Sequence, residues 1–515
     1  MASRRDELNA YTFAKKRTVA AFLQPSPTGT EEGAPRPLRA VVPGLVIGAL
    51  VIAGFGAWGM FRPTAPKGWD KPGTNVIIGK QSTTRYVVLT TGKGKDKKTL
   101  LHPVLNLASA RLLLNPDDFH VVQVDDAELD KGKPPRGPIL GIPYAPDRLP
   151  GDTDAGTAKR WAVCEQPGGG NGGSVQKATF LFAQRDTDRI ENKSKLKPGQ
   201  ILYVQGQTGK TQYLVDDTGT KYRVNEQAKN LTTALFGVNR EPQQVTDDWL
   251  ATLKTGDPVD YPLIPGQVGA DAGVDGGLKP EQDRVGMVLR ASTGSGMQHY
   301  VVLQGKVQPV SDFTAWLIIN SPQTNSLDMA GEAPAVDLVS LTPDSQEFGG
   351  GLKWPKAKST QVNSVGDAGS RDTICSVLES VDSKGRTTLS TWAGAKYPAE
   401  ITAGGTSTYV TPGTGLLYTQ FQGGGKQARP DGSLFLVTDT GLRYAVQANG
   451  DSDKNRSDIG APDQQQNDGR PEPSDAQKRL GYERVTPVLV PLEWSEFLSK
   501  GPRLDTNSAR QPQGS

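Results

Sequence analysis

The 515-residue chain has little of what local catalytic and metal-binding motifs are made from: two cysteines, three histidines and five methionines. His102, His120 and His299 lie far apart, none with a second ligand at zinc spacing, which excludes a metal centre built from a local motif. Lys and Arg number 58 against 55 Asp and Glu, a net charge of +3. A nucleic-acid footprint needs a concentrated basic face, so no nucleic-acid partner is expected. No Ser/His/Asp order and no paired-carboxylate signature stands out, and no cofactor is expected. Long apolar runs are also missing, with one exception. What is abundant is Gly (60) and Pro (38), a balance that suits short strands and many turns better than a helical bundle.

The exception is Ala40 to Phe61, about 22 residues without a charge, bracketed by Arg39 and Arg62. As a helix it reaches about 33 Å, enough to cross a hydrocarbon core. Arg4, Arg5, Lys15, Lys16, Arg17, Arg36 and Arg39 precede it, and this excess of positive charge places the N-terminus in the cytoplasm and the long C-terminal region outside. A cleaved signal peptide, with Gly54-Phe55-Gly56 as the cleavage site, is the alternative. Its charged region and apolar core would both be longer than such signals have. Pro43 is expected in the first turn of the span, where its missing N–H costs nothing.

Residues 3–23 read as an amphipathic helix. Ser3 with Asp6 resembles a capping box, Leu8, Tyr11, Thr18 and Phe22 recur near helical spacing, and Lys15, Lys16 and Arg17 are expected on the other side. Such a helix either lies on anionic lipid or docks on a partner through Leu8, Tyr11, Phe13, Arg17 and Phe22. The Pro- and Gly-rich segment after it cannot continue the helix into the membrane.

Beyond the span the chain repeats itself. Tyr213–Val224 (YLVDDTGTKYRV) aligns with Phe435–Val446 (FLVTDTGLRYAV), setting Asp217 on Asp439, Gly219 on Gly441 and Tyr222 on Tyr444. Val245–Asp260 aligns with Val490–Asp505, setting Trp249 on Trp494, Leu253 on Leu498 and Gly256 on Gly501. The later copy carries extra polar chain, Asn449 to Asp475, whose composition predicts a disordered loop. Two weaker copies precede these: Thr84–Leu89 resembles Gln298–Leu303, and His102–Leu114 resembles Gln308–Asn320, with Pro103 on Pro309. The order is therefore A, B, A′, B′. One cysteine lies between A and B of each half, Cys164 and Cys375, at matching places in a middle layer of strands. The C-terminal region faces an oxidising compartment, and two cysteines are the smallest set that can pair. Cys164 and Cys375 are expected to form a disulfide; two free buried thiols or links between subunits are the alternatives.

A phosphate cradle is the one enzymatic motif to weigh. Val204–Thr211 (VQGQTGKT) ends like a P-loop in Gly209-Lys210-Thr211, which makes Lys210 and Thr211 weak nucleotide candidates. Val204 stands where the pattern requires Gly, and the flanking segments read strand, turn, strand rather than strand, loop, helix. A hairpin is expected. A peptidoglycan-binding module would also suit a Gly-rich extracytoplasmic β domain, with no motif to support it.

Ala10–Phe22 (AYTFAKKRTVAAF), Arg36–Ala40, Leu101–Leu114 (LHPVLNLASARLLL), Gly141–Pro150 (GIPYAPDRLP) and Trp161–Cys164 together resemble the EccB family of actinobacterial type VII (ESX) secretion systems, over nearly the whole chain. The resemblance implies an α+β, β-rich protein: a cytoplasmic helix, one transmembrane helix, and an elongated extracytoplasmic domain whose central β core is flanked by four repeats in quasi-twofold order. It implies a structural role in a membrane complex with the motor ATPase EccC, EccD, EccE and the mycosin protease, with self-association and contact with membrane lipid. The expected divisions are a cytoplasmic helix and linker (1–39), the span (40–61), a stalk (62–82), repeat 1 (83–157) and a first core segment (158–209). Repeat 2 (210–267), a linker (268–296), repeat 3 (297–369), a second core segment (370–431), repeat 4 (432–505, with the insertion 449–475) and a disordered tail (506–515) follow.

Overall fold

The structure, a computed structural model, describes residues 3–23, 38–60, 65–92, 97–168, 174–364, 370–402, 406–422, 432–446 and 473–513. The Pro- and Gly-rich linker and the insertion up to residue 472 lie outside them. Arg4–Leu23 form α1 and Leu38–Met60 form α2. Within α2, Val41–Trp58 is long and apolar enough to cross a membrane, and none of it is buried. The helix starts before the apolar run, so Pro43 lies inside it and not in its first turn, where it removes one backbone bond.

The first sheet has β1 (Asn75–Gly79), β2 (Arg85–Thr91), β3 (Lys98–Val104) and β4 (His120–Val124), in the order β3-β2-β1-β4. Helix α3 (Leu107–Leu113) follows β3, its first turn capped by the Asn106 side chain accepting from the Ser109 N–H. The single turn α4 (Asp126–Leu129) follows β4, and α5 (Asp152–Gly156) leads into β5 (Arg160–Gln166) and β6 (Gln176–Phe182). Then come β7 (Gln200–Gly206), β8 (Gln212–Val215), β9 (Thr220–Arg223), α6 (Leu231–Phe236), β10 (Gln243–Val245), α7 (Asp247–Ala251) and β11 (Lys254–Thr255). A three-stranded sheet of β12 (Val288–Thr293), β13 (Gly296–Leu303) and β14 (Lys306–Val310) precedes α8 (Asp312–Ile319), which Ser311 caps. The last region contains β15 (Thr360–Gln361), β16 (Thr373–Val381), β17 (Thr387–Gly394), β18 (Thr408–Val410), β19 (Leu416–Phe421), β20 (Leu434–Val437) and β21 (Leu442–Ala445). It ends with α9 (Asp475–Arg479), β22 (Val488–Pro491), α10 (Leu492–Ser495), β23 (Ser499–Lys500) and α11 (Thr506–Ala509).

The central sheet is β17-β16-β5-β6-β18, strands from both halves of the chain. Two further sheets share one topology, β10-β7-β8-β9-β11 and β22-β19-β20-β21-β23, and both pack into the apolar cluster on the Trp161 face of the central sheet. In both, the first and last pairings are parallel and the two inner ones antiparallel. The aligned glycines explain themselves here. A Cβ on Gly256 would come within 2.3 Å of the Tyr222 ring and one on Gly501 within 2.5 Å of the Tyr444 ring, so each strand can cross its tyrosine only without a side chain. In the two A segments, Tyr86 faces Pro103 and Tyr300 faces Pro309 across equivalent antiparallel pairs.

Several expected boundaries move. The stalk is expected to run to 82, yet β1 lies inside it and is an inner strand of the first sheet; β12 likewise sits in the expected 268–296 linker. Strands β7 and β19, assigned to the core by position, hydrogen-bond instead to β8 and β20, because each is the first arm of a hairpin. Strand β15 joins β7 and not the third sheet. The insertion is expected to run to 475, but Ser474 already caps α9. The tail is ordered through 513: Ala509 is fully buried, Pro512 bridges Leu140, and the Gln513 N–H donates to the Ile139 carbonyl at 2.9 Å.

The cores follow from this closure. Leu112, Leu113 and Ile142 of the first unit share one apolar cluster with Leu436, Tyr444, Leu504 and Ala509 of the last. The middle units meet in the same way, Phe313 and Leu317 of α8 joining Leu231, Leu235 and Phe236. Between them, Trp161, Trp249 and Trp494 fill the space between the central sheet and its two flanking sheets.

Candidate functional site

No residue of α1 is buried. Its first turn is closed as the Ser3/Asp6 pattern predicts: the Ser3 N–H donates to the Asp6 carboxylate at 3.3 Å and the Arg5 N–H to the Ser3 hydroxyl at 3.3 Å. Leu8, Tyr11, Phe13 and Phe22 all project into solvent, Phe22 being 91% exposed. At roughly 100° per residue, Leu8, Tyr11, Val19 and Phe22 share a face, but Lys15, seven residues from Leu8, falls on that same face and not opposite it. Phe13 points elsewhere, with Arg17. The expected clean division into apolar and basic sides is therefore corrected to a mixed surface of aromatic and basic side chains.

The two cysteines meet at the middle of the molecule. Cys164 in β5 faces Cys375 in β16 across an antiparallel pair, and the two are joined by a disulfide with Cα atoms 4.0 Å apart. Both are fully buried, beneath Phe180, Phe182, Trp392 and Ile190. The opposite face of β5 carries Trp161, Val163 and Glu165 toward Trp249. Alternation along one strand thus directs the disulfide to one face and the tryptophan core to the other.

Lys210 and Thr211 lie in the β7–β8 hairpin. Gly209 and Lys210 both have positive φ, 74° and 51°, and the Gly206 N–H closes the turn on the Thr211 carbonyl at 3.1 Å. The Thr208 N–H donates to the Asp247 carboxylate at 3.3 Å. A P-loop needs free N–H groups at a helix N-terminus; this turn leads into a strand, and a carboxylate lies against it. Among the described residues no group of His, Cys, Asp and Glu is arranged to hold a metal ion.

Two polar features had no local signal in the sequence. Glu379 on β16 joins a cluster with Arg160 at the start of β5, Lys195 and Glu191: Lys195 Nζ is 2.8 Å from Glu379 and 2.9 Å from Glu191, and Arg160 contacts both carboxylates. Burial alone would push the Glu379 carboxyl up. The Lys195 and Ser390 hydrogen bonds and the charges of Lys195 and Arg160 outweigh it and hold it below its ordinary value. The second is Glu165, fully buried, whose carboxylate accepts the Thr246 N–H at 2.9 Å and the Thr246 hydroxyl. Burial raises its pKa and the Thr246 bonds oppose the rise. Thr246 caps α7, and Trp249 within that helix donates to the Val163 carbonyl at 3.0 Å. A residue pair separated by 81 or 219 positions leaves no spacing pattern to read.

A family model described as "Type VII secretion system ESX-1, transport TM domain B" matches residues 1–514. The ESX-3 secretion system ATPase EccB3 of Mycolicibacterium smegmatis is 28% identical over 429 residues, 79% of this chain and 75% of that protein. The ESX-1 secretion system ATPase EccB1 of the same species is 27% identical over 439 residues, 81% of each. Among solved structures, an EccB3 dimer from the ESX-3 core complex matches with a TM-score of 0.52 at 25% identity, over 85% of this chain and 100% of that one. A chain of an intact ESX-5 inner membrane complex matches in fold with a TM-score of 0.54 at 20% identity, over 100% of this chain and 96% of that one.

Proposed function

Since this chain belongs to the EccB family of type VII secretion components, we propose that it is a structural subunit of an ESX inner-membrane complex, bracing the pore and its extracytoplasmic exit during protein export. The observation that carries this reading is the match of the whole chain, membrane helix included, to that family. In it α2 spans the inner membrane once with the N-terminus in the cytoplasm, as the basic flank requires. The self-association follows the EccB3 dimer; the proposed neighbours are the EccC motor ATPase, EccD, EccE and the mycosin protease.

The body is read as two halves, each an A unit, a pair of core strands and a B unit, in quasi-twofold order about the Cys164–Cys375 pair. Equivalent sheets and equivalent Gly–Tyr crossings support this. The relatives' names include ATPase, but the Lys210 turn favours bracing over catalysis.

The mixed aromatic and basic face of α1 is proposed to dock on a partner of the complex, with α2 alone anchoring the protein. Deleting residues 2–24 is then expected to leave the protein in the membrane fraction while removing it from the complex resolved on native gels. Normal incorporation of the shortened protein would reduce α1 to a lipid-surface element.

A further inference from the structure

One end of the first sheet lies beside the segment that leaves α2, and it carries exposed lysines. The chain leaves α2 at Met60 and is already folded into the body at Ala65 and Trp69, which pack against Ile77, Val88 and Leu101. Five chain steps cover at most about 18 Å. If α2 spans the bilayer, as proposed above, the end of the sheet where β1 begins is held close to the membrane surface. Register identifies what else lies at that end. β2 runs antiparallel to β1, with Val87 opposite Val76 and the Gly73 N–H bonded to the Val88 carbonyl, so β2 finishes there; Thr91 faces Lys98, so β3 starts there. β4 starts there too, His120 lying beside Asn75.

This end carries Lys67, Lys71, Lys97 and Lys98, all exposed. Lys71 lies 3.9 Å from Asp118, and Asp70 and Asp117 are the other acids at this end among the described residues. Lys67, Lys97 and Lys98 have no ion-pair partner among the described residues. At the opposite end α4 and its flanks supply Asp125, Asp126, Glu128 and Asp130, with Asp126 accepting the Gln81 and Ser82 N–H groups beyond the end of β1, and Arg85 and Lys131 there are ion-paired with Asp147 and Glu128. The end beside the tether thus presents three exposed lysines without an ion-pair partner among the described residues.

We propose that Lys67, Lys97 and Lys98 rest on anionic lipid head groups and fix the orientation of the body over its span. Lysines within a Debye length of an anionic surface are attracted to it, and a short tether supplies the proximity. An acidic protein could satisfy the same charges, but only the bilayer is held there by the chain itself.

The test uses the full-length protein in nanodiscs of neutral lipid and of lipid containing roughly one-third anionic species, followed by amide hydrogen exchange. The amides around Lys97–Leu100 are expected to exchange about fivefold more slowly, or slower still, in anionic discs, about fivefold being the worth of one lysine at the surface. High salt, and the triple substitution Lys67→Glu, Lys97→Glu, Lys98→Glu, should abolish the difference while leaving the exchange of the central sheet unchanged. Equal exchange in both discs would overturn the proposal. So would protection that appears only when the assembled complex is present, which would assign the lysines to a protein. Failure of the spanning reading is distinguishable, because the chain would then not enter discs at all.

Discussion

Replacing Cys164 and Cys375 together with alanine is expected to destabilise the extracytoplasmic body by about 2–5 kcal/mol. The bond closes a loop with a sequence separation of 211, for which the chain-entropy model gives around 5 kcal/mol as an upper figure. Two further costs follow from position, since both side chains are fully buried among Phe180, Phe182 and Trp392 and alanine leaves a small cavity there. The bond joins β5 of the first half to β16 of the second, the antiparallel pair at the centre of the sheet they share. Loss of it should therefore appear as earlier opening of the central sheet and not as loosening of a terminus. Denaturant unfolding of the double variant, with exchange measured on β5 and β16, reads this directly. Intact mass lower than the reduced form by about two hydrogens establishes the bond; full alkylation of both thiols under denaturing conditions without reductant would defeat the account.

The second tie across that strand pair is ionic. Substituting Glu379 with alanine is expected to cost about 2–4 kcal/mol, because its largely buried carboxylate is the shared partner of Arg160 and Lys195 and both cations would be left facing each other with only Glu191 between them. The pH dependence has a definite sign. The folded-state pKa of Glu379 lies below the ordinary 4.5, so its contribution is present above about pH 4.5 and is lost as the pH falls through the lowered value. Acid titration of thermal unfolding should show a steeper loss below that pH in the wild type than in Glu379→Gln. Parallel curves would mean that the cluster contributes nothing.

How much of this was legible depended on whether a residue's reason was local. The aligned glycines and tryptophans were readable because each serves a fixed contact: Gly256 and Gly501 pass over tyrosines, and Trp249 and Trp494 fill one core. The cysteines were readable by position. Strand β1 was hidden because Asn75–Gly79 (NVIIG) is buried on both faces and so lacks alternation, and it follows a Lys- and Pro-rich segment that resembles a stalk. The ordered tail was hidden for the opposite reason. Its Asn, Ser, Arg and Gln look disordered, yet it docks through Ala509 and through backbone bonds to Ile139 and Leu140, which composition does not reveal. The phase of Lys15 on α1 shows a simpler limit, since three consecutive basic residues necessarily spread over more than half a helix turn.

The proposed bracing role is tested most directly by ATP hydrolysis measured on the purified full-length chain. The Gly209-Lys210-Thr211 turn joins two strands, and its Thr208 N–H is engaged by Asp247, so the wild type is expected to show no turnover above background and Lys210→Ala to be indistinguishable from it. Turnover by the wild type that Lys210→Ala removes would contradict the account.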